Sequence, residues 1–437
     1  MKFYLFVLGC QMNVSDAERL RFLLTNLGLK ETSDAKNADI ILTVACSVRQ
    51  KPIDRIWGKF KIWQSFVPRP KIILTGCVVE ADRKKFIEKF DLVFDIQKPQ
   101  ELISFLKKIH PQLRSYGGLA CWPKTDSLFD LNPMRQTRDR AYISIGNGCN
   151  NFCTYCVVPY TRGREIYRPM REIIKEAREA LKNGAKIISL IAQNVNSYKD
   201  PFVIPAIYGE YNRTKAGIHS AVILNESEES PAHAGTRIRE RLPRRFAPRN
   251  DNEGKDFVEL LKKINNIPGY FKIEFLTSHP KDMSDELIKT VAKLDKVIKW
   301  IHLPVQAGSD EILEKMNRKY TREHYLKLVK KIRKVMPKVV LTTDIIVGFP
   351  SETKAQFEET VDLAKTAKFD QAFVSKYSPR AGTVAAKMDN DVSPAEKKRR
   401  FRILDKLINH KKIITYNNRV IPAKAGIQKI DSASSAE

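Results

Sequence analysis

The chain has 437 residues, with 77 Lys and Arg against 50 Asp and Glu, a formal charge of +27. That length predicts two or three domains with cores of their own, and 43% hydrophobic with 29% charged residues is an ordinary globular balance. No run of about 18 apolar residues occurs, which excludes a helical membrane span, while the basic excess points to solvated Lys-rich faces or to a polyanionic partner such as nucleic acid.

The opening MKFYLFVLGC imitates a lipoprotein processing site, but nine residues before Cys10 are too few for a signal peptide, so it reads as a first strand. The expected compartment is the cytoplasm, where thiols stay reduced and seven cysteines argue for metal or catalysis before disulfides. KFYLFVL, ADIILTVA, KIILTG and DLVFDI then alternate with helical spacing near 16–28, 52–65, 81–89 and 99–109. That rhythm predicts a doubly wound parallel-sheet domain over residues 1–112. Cys10, Cys46 and Cys77 each fall at a strand's carboxyl end, and parallel strands bring those ends to one edge, so the three thiols are expected to converge. Three small buried residues ending strands is the plainer alternative. Residues 113–138 read as a linker, and its Cys121 has no partner spacing and reads as an incidental thiol.

From 139 to 412 a second α/β series follows. Its strand candidates are AYISIG, AKIISLIA, FKIEFLT, KVIKWIHL, KVVLTTDIIVG and DQAFVSKY, with helices at 172–182, 283–293, 310–316, 322–334 and 354–367. Six alternations suggest a closed or partial (β/α)6 TIM-like barrel, whose site belongs at the carboxyl ends of the strands. The polar clusters QNVNSY, TSHP, PVQAGSD and GFPSET follow the second to fifth strands. Residues 201–250 break the pattern and read as a solvated, disordered insert, although its run of Arg237, Arg239, Arg241, Arg244, Arg245 and Arg249 could touch RNA phosphates. VIPA at 203 and KAGI at 215 return as VIPAKAGI at 420, which suggests a translated repetitive element, and the tail 413–437 reads as equally unstructured.

GCNNFCTYCVVPY, residues 148–160, carries Cys149, Cys153 and Cys156. Zinc would need a fourth ligand, yet no Cys or His follows until His219 inside the insert. A 4Fe-4S cluster on three cysteines leaves one iron open to a small molecule.

With Tyr155 just before the last cysteine and a barrel around it, the triplet resembles the radical S-adenosylmethionine (SAM) enzymes. The preceding sheet domain with its own three cysteines resembles the methylthiotransferases among them. CQMN, CSVRQK, GCVVE, GCNNFCTYCVVPYTRGRE, QNVNSY, FLTSHPKDMSDELI, HLPVQAGSD, MNRKYTRE, TTDIIVGFPSET and FDQAFVSKYSPRAGT look like the MiaB-type tRNA methylthiotransferases. The likeness runs from residue 2 to about 412, leaving out the insert. The branches acting on a ribosomal-protein aspartate or on threonylcarbamoyl-adenosine differ after the first cysteine, where this chain has Gln11, Met12 and Asn13.

The resemblance implies methylthiolation of N6-dimethylallyladenosine 3′ of the tRNA anticodon, one SAM donating the methyl group and one the 5′-deoxyadenosyl radical. Cys149, Cys153 and Cys156 would hold the cluster that binds SAM, and Cys10, Cys46 and Cys77 an auxiliary 4Fe-4S cluster. Tyr155, Gln193, Asn194, Ser278, Gln306, Ser309 and Asp344 are expected toward SAM, and His279 toward substrate. Tyr160, Arg162, Arg164 and Arg168 are expected on RNA phosphates or as a solvated basic turn. The implied partners are the tRNA anticodon stem-loop and a flavodoxin- or ferredoxin-like electron donor, with the sulfur source open and the enzyme a monomer.

Three departures stand out. Val44 and Ala45 replace the family's Asn-Thr before Cys46, and Ala192 stands where Gly is usual. Beyond about 413 the family continues into a TRAM β-barrel that grips tRNA, where this chain reads YNNRVIPAKAGIQ, so weaker tRNA affinity is expected. Rival readings are a non-catalytic basic RNA-binding protein with structural metal sites and a truncated, inactive relative.

Overall fold

The computed structural model describes residues 1–48, 50–111, 127–137, 139–201 and 256–410, with the backbone of 414–416 and 419–421. Cys121, nearly all of the 201–250 insert and the tail beyond 421 lie outside the described residues.

The first unit runs β1 (Lys2–Val7), α1 (Gln11–Asn26), β2 (Lys30–Glu31), β3 (Ile40–Cys46), α2 (Gln50–Trp63), β4 (Lys71–Cys77), α3 (Glu80–Ile87), β5 (Leu92–Val93) and α4 (Pro99–Ile109). Its five strands are all parallel, in the order β2-β1-β3-β4-β5. β3 lies at the centre and is buried from Ile40 to Ala45, as a strand covered on both faces must be. Successive side chains serve opposite layers. Ile40, Leu42 and Val44 join Leu20, Leu24, Leu102 and Leu106 of α1 and α4, while Ile41 and Ala45 join Ile53, Ile56, Trp63 and Phe86 of α2 and α3. The sheet is therefore doubly wound. β2 was not foreseen, and the DLVFDI run keeps only two residues in strand pairing.

The second unit begins with β6 (Arg140–Ser144), β7 (Gly146–Asn147), α5 (Val158–Thr161) and β8 (Ile166–Tyr167). It continues with α6 (Met170–Lys182), β9 (Ile187–Ile191), α7 (Phe257–Asn265), β10 (Lys272–Phe275), α8 (Asp285–Lys293) and β11 (Trp300–His302). α9 (Asp310–Lys315), α10 (Arg322–Val335), β12 (Val340–Val347), α11 (Lys354–Ala367), β13 (Gln371–Lys376) and α12 (Pro394–Asn409) complete it. Parallel ladders β10-β9-β6 and β11-β12-β13 are joined by a parallel bridge from Ile273 to Val297. Among the described residues nothing pairs β6 with β13, so the barrel stays open there. A single large core fills the space between strands and helices.

Local signals explain the helix boundaries. Thr353 and Gln356 form a reciprocal capping box on α11, and Ser284 and Ser393 cap α8 and α12. α7 and α12 were missed: the first abuts the aperiodic segment, and the second hides a narrow buried stripe, Leu404 and Ile408, behind KKRR. The tail is not wholly irregular either, because β14 (Ile414–Tyr416) pairs antiparallel with β15 (Arg419–Ile421), both rich in β-branched residues.

A buried ionic hub clasps the units. Glu176 of α6 receives Arg19 of α1 at 2.9 Å, Arg135 at 2.5 Å and Arg168 at 2.6 Å. Burial alone would push its carboxyl up, but the three guanidinium groups hold it down at about 2. The described part of the predicted linker is thus fixed in place, with Leu128 and Leu131 in the first core.

Candidate active site

The loop between β7 and β8 carries the contiguous cysteines. Its ends are tied by antiparallel pairing of Gly146 with Tyr167 and Asn147 with Ile166, and inside it Cys149 N–H donates to Gly163 O at 3.2 Å. Gly148 has φ +80°, and a Cβ there would drive into the Arg164 carbonyl, so the chain reverses before Cys149 only with glycine. The MNRKY segment after α9 holds the other flank. Asn317 donates through Nδ2 to the carbonyls of Asn151 and Phe152, and Arg318 reaches Cys153 Sγ at 3.5 Å.

The second triplet is assembled by the sheet. Cys46 and Cys77 are register partners at the ends of β3 and β4, and Cys10 stands at the amino end of α1 just past β1. Cys10 Sγ and Cys77 Sγ both lie 3.8 Å from Asn13 Oδ1, whose amide donates to Ala45 O and Leu8 O. Gly76 (φ +112°) could not carry a Cβ without striking the Ala45 carbonyl, which keeps β3 and β4 close where the thiols meet. Val44 and Ala45 are fully buried and apolar, so neither brings a polar side chain to this site, and Ala45 takes part only through its carbonyl on Asn13.

The donor chemistry suits iron–sulfur clusters. Burial pushes the Cys46 and Cys156 thiols up to about 12 and the Cys77 thiol up to about 11 even with Arg162 on its sulfur, so bare thiolates there are only partly compensated and iron would supply the rest. Among the described residues no three of His, Cys, Asp and Glu close on a point as single-ion ligands do. A cubane is held differently, each thiolate on its own iron.

At the barrel mouth, Gln193 and Asn194 follow β9, Ser278 and His279 follow β10, and Gln306 and Ser309 follow β11. Gln193 Oε1, Asn194 Oδ1 and Ser278 Oγ are buried without a hydrogen-bond partner, as groups waiting for a ligand would be. Asn194 Nδ2 donates to Asp282 at 2.6 Å. Burial, with Arg318 and Lys281, pulls His279 down to about 2. Its Nδ1 accepts from Lys281 N, so the neutral ring carries its proton on Nε2. Tyr155, Arg318, Tyr320 and His279 form one cluster: the guanidinium donates to Tyr320 Oη at 2.8 Å, and the Tyr320 ring meets His279 edge to face. Gln306 is left-handed at φ +71° and bridges to β12, whereas Ser309 opens α9 without a side-chain cap bond. Asp344 lies within β12 rather than beyond it, 3.3 Å from His302 Nε2.

Two expected phosphate contacts are corrected. Arg162 is 2% exposed and Arg168 7%, and both guanidinium groups turn inward because buried carboxylates pair with them. Arg162 pairs with Asp16 at 2.5 Å and donates from Nε to Cys77 Sγ at 2.7 Å, and Arg168 belongs to the Glu176 hub. Tyr160 is 55% exposed and Arg164 exposed; the Phe152 ring meets Tyr160 edge to face and lies 4.4 Å from the Arg164 guanidinium carbon. Asn13, Asp16, Arg318 and Tyr320 drew no role from the sequence. The signal for the last two was present, since MNRKY was among the motifs, but no spacing says which cysteine a remote arginine will meet.

The radical SAM superfamily profile matches residues 143–364, and that of the uncharacterized protein family UPF0004 matches 2–96. The chain is 38% identical over 412 residues to a tRNA-2-methylthio-N(6)-dimethylallyladenosine synthase of Thermoanaerobacter pseudethanolicus, covering 92% of this chain and 76% of that one. A Clostridium botulinum protein of the same name is 37% identical over 418 residues, covering 93% and 81%. A solved radical S-adenosylmethionine methyltransferase, TsrM of Kitasatospora setae with cobalamin and a 4Fe-4S cluster bound, superposes with TM-score 0.54 at 13% identity over 88% of this chain and 77% of that chain. That likeness is one of fold.

Proposed function

Because this chain belongs to the tRNA-2-methylthio-N(6)-dimethylallyladenosine synthase family within the radical SAM superfamily, we infer that it methylthiolates tRNA, taking N6-dimethylallyladenosine 3′ of the anticodon to its 2-methylthio derivative. One SAM serves as methyl donor and a second as radical source. The observation that carries this reading is the presence of two separate thiol triplets, each backed by a buried arginine, in a sheet domain and an open barrel.

Cys149, Cys153 and Cys156 would hold the SAM-binding cluster and Cys10, Cys46 and Cys77 the auxiliary one. Bound there, the two groups would supply the electron for SAM cleavage and a place for the inserted sulfur. The residues of the chain do the rest. The unpartnered Gln193, Asn194 and Ser278 oxygens can accept from SAM or the nucleoside, and neutral His279 can donate from Nε2. Tyr155, Gln306, Ser309 and Asp344 are proposed toward SAM as well. Exposed Tyr160 and Arg164 offer a ring face and a cation to an unstacked loop nucleotide, a contact suited to RNA. We propose residues 1–112 as the auxiliary-cluster domain and 139–412 as the barrel, with a flavodoxin- or ferredoxin-like electron donor, a monomeric state and a cytoplasmic setting. No helix among the described residues is long and apolar enough to cross a membrane.

The test is mass spectrometry of nucleosides from tRNA bearing the prenylated adenosine, incubated with the anaerobically reconstituted full chain, SAM and reductant. Gain of one methylthio group on that nucleoside is expected. SAM cleavage without the product would leave an inactive relative, and stoichiometric zinc without cleavage would leave a basic RNA-binding protein.

A further inference from the structure

Arg162 donates directly to a sulfur of the sheet-domain triplet. It belongs to the cysteine loop of the barrel, six positions after Cys156, yet its side chain enters the sheet domain. Nε donates to Cys77 Sγ at 2.7 Å, Nη2 to Asp16 Oδ2 at 2.5 Å and to Asn13 Oδ1 at 3.4 Å, and Nη1 to Asn147 Oδ1 at 3.0 Å. Its own carbonyl accepts from Gln97 Nε2, so backbone and side chain are both gripped by the first unit. The next residue, Gly163, accepts from Cys149 N–H. One residue step therefore separates a contact to the first cysteine of one triplet from a contact to the last cysteine of the other.

The electrostatics are asymmetric. The guanidinium is buried and its counter-charge is Asp16, whose carboxylate it contacts with a different nitrogen from the one on sulfur. A proton donor and positive charge on a ligand sulfur stabilise the more negative, reduced state of an iron–sulfur cluster, and outer-shell hydrogen bonds of this kind set its potential. A buried carboxylate beside the arginine works in the opposite sense.

We propose that Arg162 is a positioning residue for the auxiliary cluster: reaching from the barrel loop to the Cys77 sulfur, it sets that cluster's reduction potential, with Asp16 as its opposing counter-charge, and ties the two cysteine triplets together. This rests on the reading that Cys10, Cys46 and Cys77 hold a 4Fe-4S cluster. The couple concerned is one electron taken up by the oxidised cluster, with no proton and no bond made or broken.

The experiment uses the full chain with Cys149→Ala, Cys153→Ala and Cys156→Ala, so that only the auxiliary cluster remains, reconstituted anaerobically. Its iron and sulfide content are measured, and its midpoint potential is found by mediated titration followed by electron paramagnetic resonance. Adding Arg162→Gln is expected to move the midpoint to more negative values, and adding Asp16→Asn to more positive ones. Arg162→Lys, which keeps the charge but loses the planar fork, should fall between Arg162→Gln and the parent. A merely structural arginine would not give opposite signs. An unchanged midpoint in Arg162→Gln, with full iron, overturns the proposal and leaves the auxiliary-cluster reading standing. If Arg162→Gln cannot be loaded, Asp16→Asn carries the test, and absence of a positive shift there overturns it. A parent that holds no iron sinks the underlying reading and the proposal with it.

Discussion

Cys149, Cys153 and Cys156 occupy one loop between two short paired strands, whereas Cys10, Cys46 and Cys77 come from three strand ends spread over the first unit. The first triplet is organised by short-range geometry: Gly148 before it, the β7–β8 pairing around it, Asn317 and Arg318 against it. The second exists only when β1, β3 and β4 are in register, since Cys46 and Cys77 neighbour each other through the ladder. Each receives one buried arginine, but Arg318 comes from the same unit as its cysteine and Arg162 crosses from the other. A local site can thus be built by a loop, while a dispersed one is built by a sheet and makes its chemistry hostage to folding of the whole domain.

The largest expected effects come from deleting one triplet at a time. Replacing Cys149, Cys153 and Cys156 by alanine should drop iron from about eight to about four per chain and abolish SAM cleavage. The matching change at Cys10, Cys46 and Cys77 should remove the same amount of iron and abolish methylthiolation while SAM cleavage survives. Equal loss of SAM cleavage in both variants would break the comparison, because the triplets would then not be separable.

Next is Arg318→Met. Removing the donor beside Cys153 should cut SAM cleavage by about 10- to 100-fold, the usual cost of losing an outer-shell partner. Cleavage at the wild-type rate would show that the local site does not depend on its arginine.

The smallest effect is a pair of opposite pH responses, one in each unit. Burial, partly offset by Arg135, Arg21 and Arg19, pushes the Glu18 carboxyl up to about 7. Between the ordinary carboxylate value of 4.5 and about 7, the folded chain holds a proton that the unfolded chain has released, so this group lowers stability as pH rises. His279 is the converse: from about 2 to 6.5 the unfolded chain holds the extra proton, so stability falls as pH falls below 6.5. Relative to wild type, Glu18→Gln should therefore gain thermal stability from pH 5 to pH 8, and His279→Gln should gain as pH drops from 7 to 5. Each slope is at most about 1.4 kcal/mol per pH unit. Melting temperatures across that range check both, and parallel profiles for the two variants would contradict the assignment.

Much of the architecture is legible in the order of the amino acids. Alternating strands and helices show as runs of Val, Ile and Leu at periods of 2 and 3.6, and glycine before Cys10, Cys77 and Cys149 marks the turns. The strand-end position of three distant cysteines already implies a common edge, because parallel strands leave their carboxyl ends on one side. α12 escaped because its charged residues outnumber its buried ones, and β5 shrank because little of DLVFDI finds a partner strand.

The residues around the sulfurs are another matter. Arg162 and Arg164 are two residues apart in the same basic stretch, and nothing in TRGRE says that one is buried on Cys77 while the other stacks on Phe152 in the open. Their difference depends on Asp16 and Asn13, which come from helix α1 of the other unit. By itself the sequence determined most of the periodic elements, the cysteine sets and the family, because these are written in local spacing. Only the tertiary structure decided which charges pair across the two units, because a buried guanidinium goes where a distant carboxylate and sulfur compensate its lost hydration.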